Sequence, residues 1–315
     1  MNIIRDQHNL TTAQPACVAT LGNFDGVHLG HQAVLKSLLE NAKMRGLPAT
    51  VITSEPLSNE YFMPDKAPPR LTRFREKLVL FKQLGIEQVY CQRFNARLAN
   101  MPAQDFVERI LVNGLGVKHL IVGDDTRFGH KRAGDFQLLQ NMGAIHGFSV
   151  QNTQTLTDDV LRISSTRIRE HLQNGEMDAA AHLLGRPYHM AGRVAHGDKR
   201  GRELGYPTAN IHLKRRQTPV MGIFAVTVSG IDAQALPGVA SIGVRPTFGG
   251  GQCLLEVHLF DFQRDIYGRH VEVHFLHKLR DEQYFASIPA LITQMDEDSR
   301  QARAFHQQHL LTRTQ

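Results

Sequence analysis

The chain contains no tryptophan and only three cysteines, Cys17, Cys91 and Cys253, which lie far apart without a Cys-x-x-Cys pair. That spacing argues against a disulfide framework or a structural zinc site and fits a reducing compartment. No apolar run approaches the roughly 18 residues that a membrane-spanning helix needs. The N-terminal stretch has neither a basic region nor a long apolar core, so no secretory signal is expected and a cytoplasmic location is. Aromatic residues make up 7% and do not interleave with basic ones as on an RNA-recognition surface. Gly-x-Gly-x-x-Gly and Gly-x-x-x-x-Gly-Lys are both missing, so neither standard nucleotide fingerprint applies.

What is present is ordinary globular material: 315 residues, 42% hydrophobic and 21% charged, enough for two domains that each bury a core. The net charge of +6 and pI near 9.3 suit a nucleic-acid binder or an enzyme whose substrates carry phosphates. The basic runs Lys199-Arg200 and Lys214-Arg215-Arg216 are short and read as solvated loops. Of the 17 histidines, only His28 and His31 sit in a context that suggests chemistry.

That context is Gly22-Asn23-Phe24-Asp25-Gly26-Val27-His28-Leu29-Gly30-His31. The apolar run Ala16–Leu21 leads in as a buried strand. Val34, Leu35, Leu38, Leu39 and Ala42 follow at helical spacing from a start near Leu29. Backbone N–H groups and the positive helix end converge at such a turn and favour a phosphate. Three residues apart, the two imidazoles can face one anion. Around a triphosphate's α-phosphate, their N–H groups would stabilise the charge that builds during nucleotidyl transfer. Metal ligation is the rival reading, without a third ligand in view.

Further strands are expected at Pro48–Thr53, Gln88–Cys91, His119–Val122 and Phe148–Val150. Helices are expected from Thr72, as a cap, to Gly85, from Pro102 to Asn113-Gly114, and over Asp135–Met142. The proline-rich stretch Glu55–Pro69 reads as a loop too broken for a helix and as a mobile substrate-side segment. Alternation of strand and helix means a parallel sheet covered on both faces, with ligands outside the strand carboxyl ends. The turns after Leu21 and after Val122 (Gly123 to Gly129) should therefore share one cleft. Ile163–Arg169 opens a helix whose first-turn arginines oppose the helix dipole, which a polyanion partner would explain. Met177–Leu184 is a second short helix.

From Tyr188 the texture changes. Val220–Val228, Gly238–Val244, Cys253–Phe260 and His270–Phe275 are short strands without intervening helices, an antiparallel sheet or small barrel. A long final helix can line one face with Phe285, Ile288, Leu291, Ile292, Met295 and Phe305. The boundary falls near residue 186, giving domains 1–185 and 186–315. Gly197, Gly201, Thr208 and Asn210 lie in a stretch that reads either as a hairpin loop or as a backbone approaching phosphates, with Thr208 and Asn210 offering neutral oxygens to Mg²⁺. Glu256 alternates with apolar Leu255 and Val257. It faces either solvent or a cavity, where it could take a proton from an attacking hydroxyl.

Gly22–His31, Arg127-Phe128-Gly129, Ile163–Arg169, Leu204–Asn210 and Leu255–Phe262, in that order over nearly the whole chain, closely resemble the prokaryotic bifunctional riboflavin kinase/FAD synthetase family. The resemblance implies an α/β nucleotidyltransferase-type, Rossmann-like domain followed by a small antiparallel β-barrel with a C-terminal helix. The barrel would convert riboflavin and ATP to FMN and ADP. The first domain would transfer AMP from a second ATP to FMN, giving FAD and pyrophosphate. By position, His28 and His31 resemble the α-phosphate histidines, with Gly22, Asn23 and Gly26 beside the nucleotide phosphates. Ser164, Ser165, Thr166 and Arg167 resemble a second phosphate motif, and Asp125, Arg127 and Phe128 lie on the flavin side. Gly197, Gly201, Thr208 and Asn210 resemble the kinase's Mg-ATP residues and Glu256 its general base. No nucleic acid, membrane or particular oligomeric state is implied. A nucleic-acid-binding protein is the alternative from another class.

Two positions depart from the family pattern. Thr53-Ser54-Glu55-Pro56 stands where Phe-Glu-Pro is usual, and Thr126 stands where an aromatic precedes Arg-Phe-Gly. Both remove aromatic or apolar surface from the first domain, so a weaker or altered flavin site there is expected, or a first domain that is impaired or re-purposed beside an intact kinase.

Overall fold

A computed structural model describes residues 1–10, 15–123, 125–153, 156–158, 161–196, 205–215, 217–245 and 252–313. It forms two compact units, Met1–Pro68 with Thr72–Ser164, and Pro69–Leu71 with Ser165–Gln315.

The first unit is built on six strands: β1 (Asn2–Arg5), β2 (Cys17–Leu21), β3 (Ala49–Glu55), β4 (Gln88–Arg93), β5 (Val117–Gly123) and β6 (Ser149–Thr153). Their spatial order is β1-β4-β3-β2-β5-β6, and every pairing is parallel. Near-continuous apolar runs suit strands covered on both faces. On β5, Leu120 and Val122 enter one core while Ile121 enters the other. The helices α1 (Leu29–Arg45) and α3 (Phe74–Gln83) cover one face through Leu35, Leu38 and Phe81. The other face is covered by α5 (Ala103–Phe106), running on as wider π-type turns over Val107–Val112, and by α6 (Phe136–His146). Each fully buried Leu or Phe contributes roughly 1.5–3 kcal/mol.

Two local expectations are corrected. The Glu55–Pro69 stretch contains a short helix, α2 (Ser58–Phe62), started where the Glu60 carboxylate accepts the Leu57 N–H at 3.0 Å; a local cap outweighs the surrounding prolines. Thr72 does not cap α3. Arg73 is the cap residue, with its N–H bound by Glu76 at 2.6 Å, while Thr72 turns to Asp25. The short helix α4 (Ala96–Ala99) precedes α5.

In the second unit, α7 (Ser165–Asn174) and α8 (Met177–Leu184) precede a closed barrel. Two-residue strands β7 (Thr157–Asp158) and β8 (Leu161–Arg162) pair just ahead of them, in the first unit. The barrel strands are β9 (Tyr188–Ala195), β10 (Ala209–His212), β11 (Gly222–Ser229), β12 (Leu236–Arg245), β13 (Gln252–Leu259) and β14 (His270–Arg280). They close in the order β10-β13-β12-β11-β14-β9, antiparallel throughout. Strands β9 and β10, absent from the sequence reading, complete the circle. The final helix, α9 (Ile288–Arg313), packs on the barrel. Ile288 is 62% exposed, so it does not line the inner face. There Asp298 is buried and holds Arg280 through two bonds of 2.8 and 2.7 Å.

Candidate active site

The sheet order changes direction at β2: β3, β4 and β1 extend to one side, β5 and β6 to the other. The crevice of such a sheet opens where adjacent strands send their connections opposite ways, outside the carboxyl ends. β2 and β5 are hydrogen-bonded neighbours, so the Gly22–His28 and Gly123–Gly129 turns leave the sheet side by side.

The first turn is held in an unusual shape. Phe24 (φ +49°), Gly26 (φ +86°) and Val27 (φ +43°) all lie in the left-handed region, which costs a β-branched residue energy unless its surroundings impose it. They do. Thr72 Oγ1 accepts the Gly26 N–H at 2.9 Å, Asp25 Oδ1 accepts the Thr72 N–H at 2.9 Å, and the Gln32 amide donates to Val27 O at 2.9 Å. Phe24, Asp25, Val27 and His28 are buried, whereas Asn23 is exposed at the tip.

His28 is the N-cap of α1. Its Nδ1 accepts the His31 N–H at 3.3 Å, so the neutral ring carries its proton on Nε2. The rings of His28 and His31 stack with centroids 3.6 Å apart. Gly30 permits this: a Cβ there would meet the His28 ring at 3.2 Å. Burial, then the neighbouring charges of His28, Lys77 and Arg162, hold His31 well below the usual histidine range. Its Nδ1 is buried and has no hydrogen-bond partner among the described residues. A stacked imidazole pair at a helix N-terminus is a hydrogen-bond donor set suited to phosphate oxygens.

The depressed His31 value fixes a pH response. Its stability contribution is complete above the unfolded value near 6.5 and is lost as pH falls towards the folded one, by at most about 1.4 kcal/mol per pH unit for one group. Urea midpoints at pH 7.5 and 5.5 should therefore differ less in His31→Gln than in the unaltered protein. His119, also lowered by burial and then by Arg45, keeps part of the drop. Equal drops in both proteins would refute this account.

Beyond the histidines, Asp125 pairs with Arg162 at 2.9 Å, and Arg162 is one of the charges acting on His31. This electrostatic chain joins the two turns. Arg127 is exposed and donates to Thr126 O. Phe128 is 7% exposed and packs on Phe106 with centroids 5.5 Å apart, so it belongs to the core. An aromatic group unread in the sequence stands on α2 and after β4: Tyr61, Phe62 and Phe94 touch at 5.3–5.6 Å, with Phe62 61% exposed. Ser164 closes the first unit, and Ser165, Thr166 and Arg167 open α7 in the second.

In the barrel, register decides what Glu256 faces. Asn210 and Ser241 flank it across β10 and β12, and Thr208 lies two residues before Asn210. The strand period of two predicts that these four residues share one face, with buried Leu255 and Val257 on the other. A cavity of about 330 Å³ is lined by Thr208, Ser241, Glu256, Arg280 and Glu282, and by Leu291 and Met295 of α9. Glu256 thus faces a cavity. Burial, with the neighbouring Glu256 charge, pushes Glu282 up against the lowering effect of Arg280. Gly197 and Gly201 lie outside the described residues.

The FAD synthetase family model matches residues 10–167 and the riboflavin kinase model residues 184–306. The chain belongs to the bifunctional riboflavin kinase/FMN adenylyltransferase family. A relative of that description from Pseudomonas fluorescens is 50% identical over 96% of this chain and 97% of its own. One from Escherichia coli strain K12 is 49% identical over 97% and 98%. A solved structure from Streptococcus pneumoniae, described as a macrolide-efflux protein, is similar at a TM-score of 0.80 and 32% identity, covering 95% of this chain and 97% of that one. Among the described residues, no helix is long and apolar enough to cross a membrane. As a family member the chain carries both catalytic domains, the α/β sheet first and the barrel second.

Arg162, Lys77 and Glu282 were missed at the sequence level. Arg162 stands two residues before Ser164, so extending that motif would have found it. The other two carry no local signal; only tertiary packing brings them to their sites.

Proposed function

We propose that the chain makes FMN and then FAD, one step in each of two domains, 186–315 and 1–185. The observation that supports this reading is the presence of two different polar faces on two folds, each suited to phosphate. One is the stacked imidazole pair at the start of α1; the other is the Thr208–Asn210–Glu256 face of the barrel. In the barrel, Glu256 accepts the proton of the riboflavin terminal hydroxyl as its oxygen attacks the γ-phosphorus of ATP, and ADP leaves. Thr208 and Asn210 present hard, neutral oxygens, which fit Mg²⁺ held largely by water and substrate phosphates. Bound there, Mg²⁺ would offset phosphate charge.

In the domain 1–185, a phosphate oxygen of FMN attacks the α-phosphorus of ATP and pyrophosphate leaves. His28 and His31 donate N–H to the α-phosphate oxygens, and the N-terminus of α1 adds its dipole. Asn23 at the exposed tip, with the Gly22 and Gly26 backbone, faces the nucleotide phosphates. Ser164, Ser165, Thr166 and Arg167 form the second phosphate motif, and Asp125 and Arg127 the flavin side. The functional boundary lies near residue 186. It assigns α7 and α8 to adenylyl transfer, although their contacts group them with the barrel.

Incubation with riboflavin, ATP and Mg²⁺, followed by chromatographic separation of the flavins, tests the reading. FMN should appear first and FAD after it. Ser54 and Thr126 reduce aromatic surface in the first unit, so FAD formation should be the slower step. Failure to make FAD from supplied FMN would refute the adenylyl half, and failure to make FMN the kinase half.

A further inference from the structure

Lys77 is fully buried, with 0% exposure, on the inner face of α3. The buried residues of α3 are Glu76, Lys77, Leu80 and Phe81, and a buried ammonium is costly unless the fold compensates it. Its Nζ donates to the backbone oxygen of Asn23 at 2.7 Å. Five residues earlier, Thr72 grips the same turn at Asp25 and Gly26. Thr72 and Lys77 therefore hold the strained Asn23–Val27 turn at Asn23, Asp25 and Gly26. The Lys77 cation is also one of three groups, with His28 and Arg162, whose charges act on His31.

We propose that Lys77 is a positioning residue for adenylyl transfer: it anchors the Asn23 carbonyl from beneath the turn, fixes the backbone that presents Asn23, His28 and His31, and places a buried positive charge behind the phosphate site. This rests on the adenylyl-transfer reading of the turn. A carbonyl pinned inward holds the turn, and with it the start of α1, in one shape. A fixed cation beside a neutral imidazole strengthens that ring as a donor without adding a proton that would have to move. Both effects grow as negative charge develops on the phosphate, so they belong to turnover more than to substrate affinity.

The test is Lys77→Met, which keeps most of the volume and removes the charge and the donor. FAD formation from FMN and ATP should fall about 10²-fold, the scale of a misplaced reacting group, mainly in kcat. FMN formation by the barrel should stay within about twofold, the internal measure of folded protein. In ligand-free Lys77→Met, the ¹⁵N titration of the His31 ring should move to higher pH, a change that a merely structural role would not produce. FAD formation within about threefold of the unaltered protein would overturn the proposal, as would an unmoved His31 titration. If Lys77→Met fails to fold, Lys77→Arg decides: with a cation and a donor retained, FAD formation should recover to within about tenfold, and a folded but inactive Lys77→Arg overturns the proposal. Unaltered protein that makes no FAD would refute the adenylyl reading itself. Normal FAD formation there with an unaffected Lys77→Met would refute only the role given to Lys77.

Discussion

Glu256→Gln should abolish most FMN formation, lowering kcat by about 10²–10⁴-fold, while FAD formation from supplied FMN continues unchanged. The substitution keeps the side chain's length and planarity, so the β13 strand and its pairing with Asn210 and Ser241 should persist. What is lost is the only role that needs a carboxylate: accepting a proton from an attacking hydroxyl. Thr208 and Asn210 are untouched, so the KM for ATP should change far less than kcat. Assays with riboflavin and with FMN as alternative starting substrates separate the two steps. A variant retaining a third or more of its FMN formation would remove Glu256 from the mechanism. A second consequence concerns Glu282, whose carboxyl is raised by burial and by the Glu256 charge. With Gln at 256 that electrostatic contribution disappears, and the Glu282 value should drop.

The alternation of strands and helices between residues 16 and 150 was legible because its main elements carry a local pattern: period two or a continuous apolar run for strands, and period 3.6 for helices; β1, four mostly exposed residues, was not read. The position of His28 at the start of α1 was legible for the same reason. What resisted reading was set by tertiary packing. Strand β10 is four residues long and β9 follows a helix–proline break, so neither carries a period strong enough to stand out; the barrel closes only with both. Whether Glu256 faced solvent or a cavity could not follow from alternation alone, because the answer depends on α9 covering that face. Phe128, read as flavin-side, is a core residue because Phe106 from another element meets it. Lys77 carries no local signal in the sequence. Only the turn that α3 packs against turns it into a buried anchor.

His28 carries two roles that a pair of substitutions can pull apart, with the second-largest expected effect. As the N-cap of α1 it accepts the His31 N–H through Nδ1, and as part of the stacked pair it carries a proton on Nε2 suited to a phosphate oxygen. His28→Ala loses both. It should cost about 1 kcal/mol of stability, the usual worth of a cap, and lower FAD formation about 10²–10³-fold, the usual worth of a transition-state donor. His28→Asn restores the cap, because a short amide oxygen reaches the same backbone N–H, but its side chain ends short of the imidazole Nε2. Stability should therefore return close to that of the unaltered protein while FAD formation stays low. Urea unfolding and FMN adenylylation measured on the same preparations give the two axes, and FMN formation from riboflavin gives a control that neither substitution should move. If His28→Asn recovers activity together with stability, the imidazole acts only by holding the helix start, and the phosphate contact belongs to His31 and the backbone alone. If His28→Ala is fully active, the turn has no part in adenylyl transfer. The cap and the donor are separate nitrogens of one ring, so stability and catalysis at His28 are expected to part company.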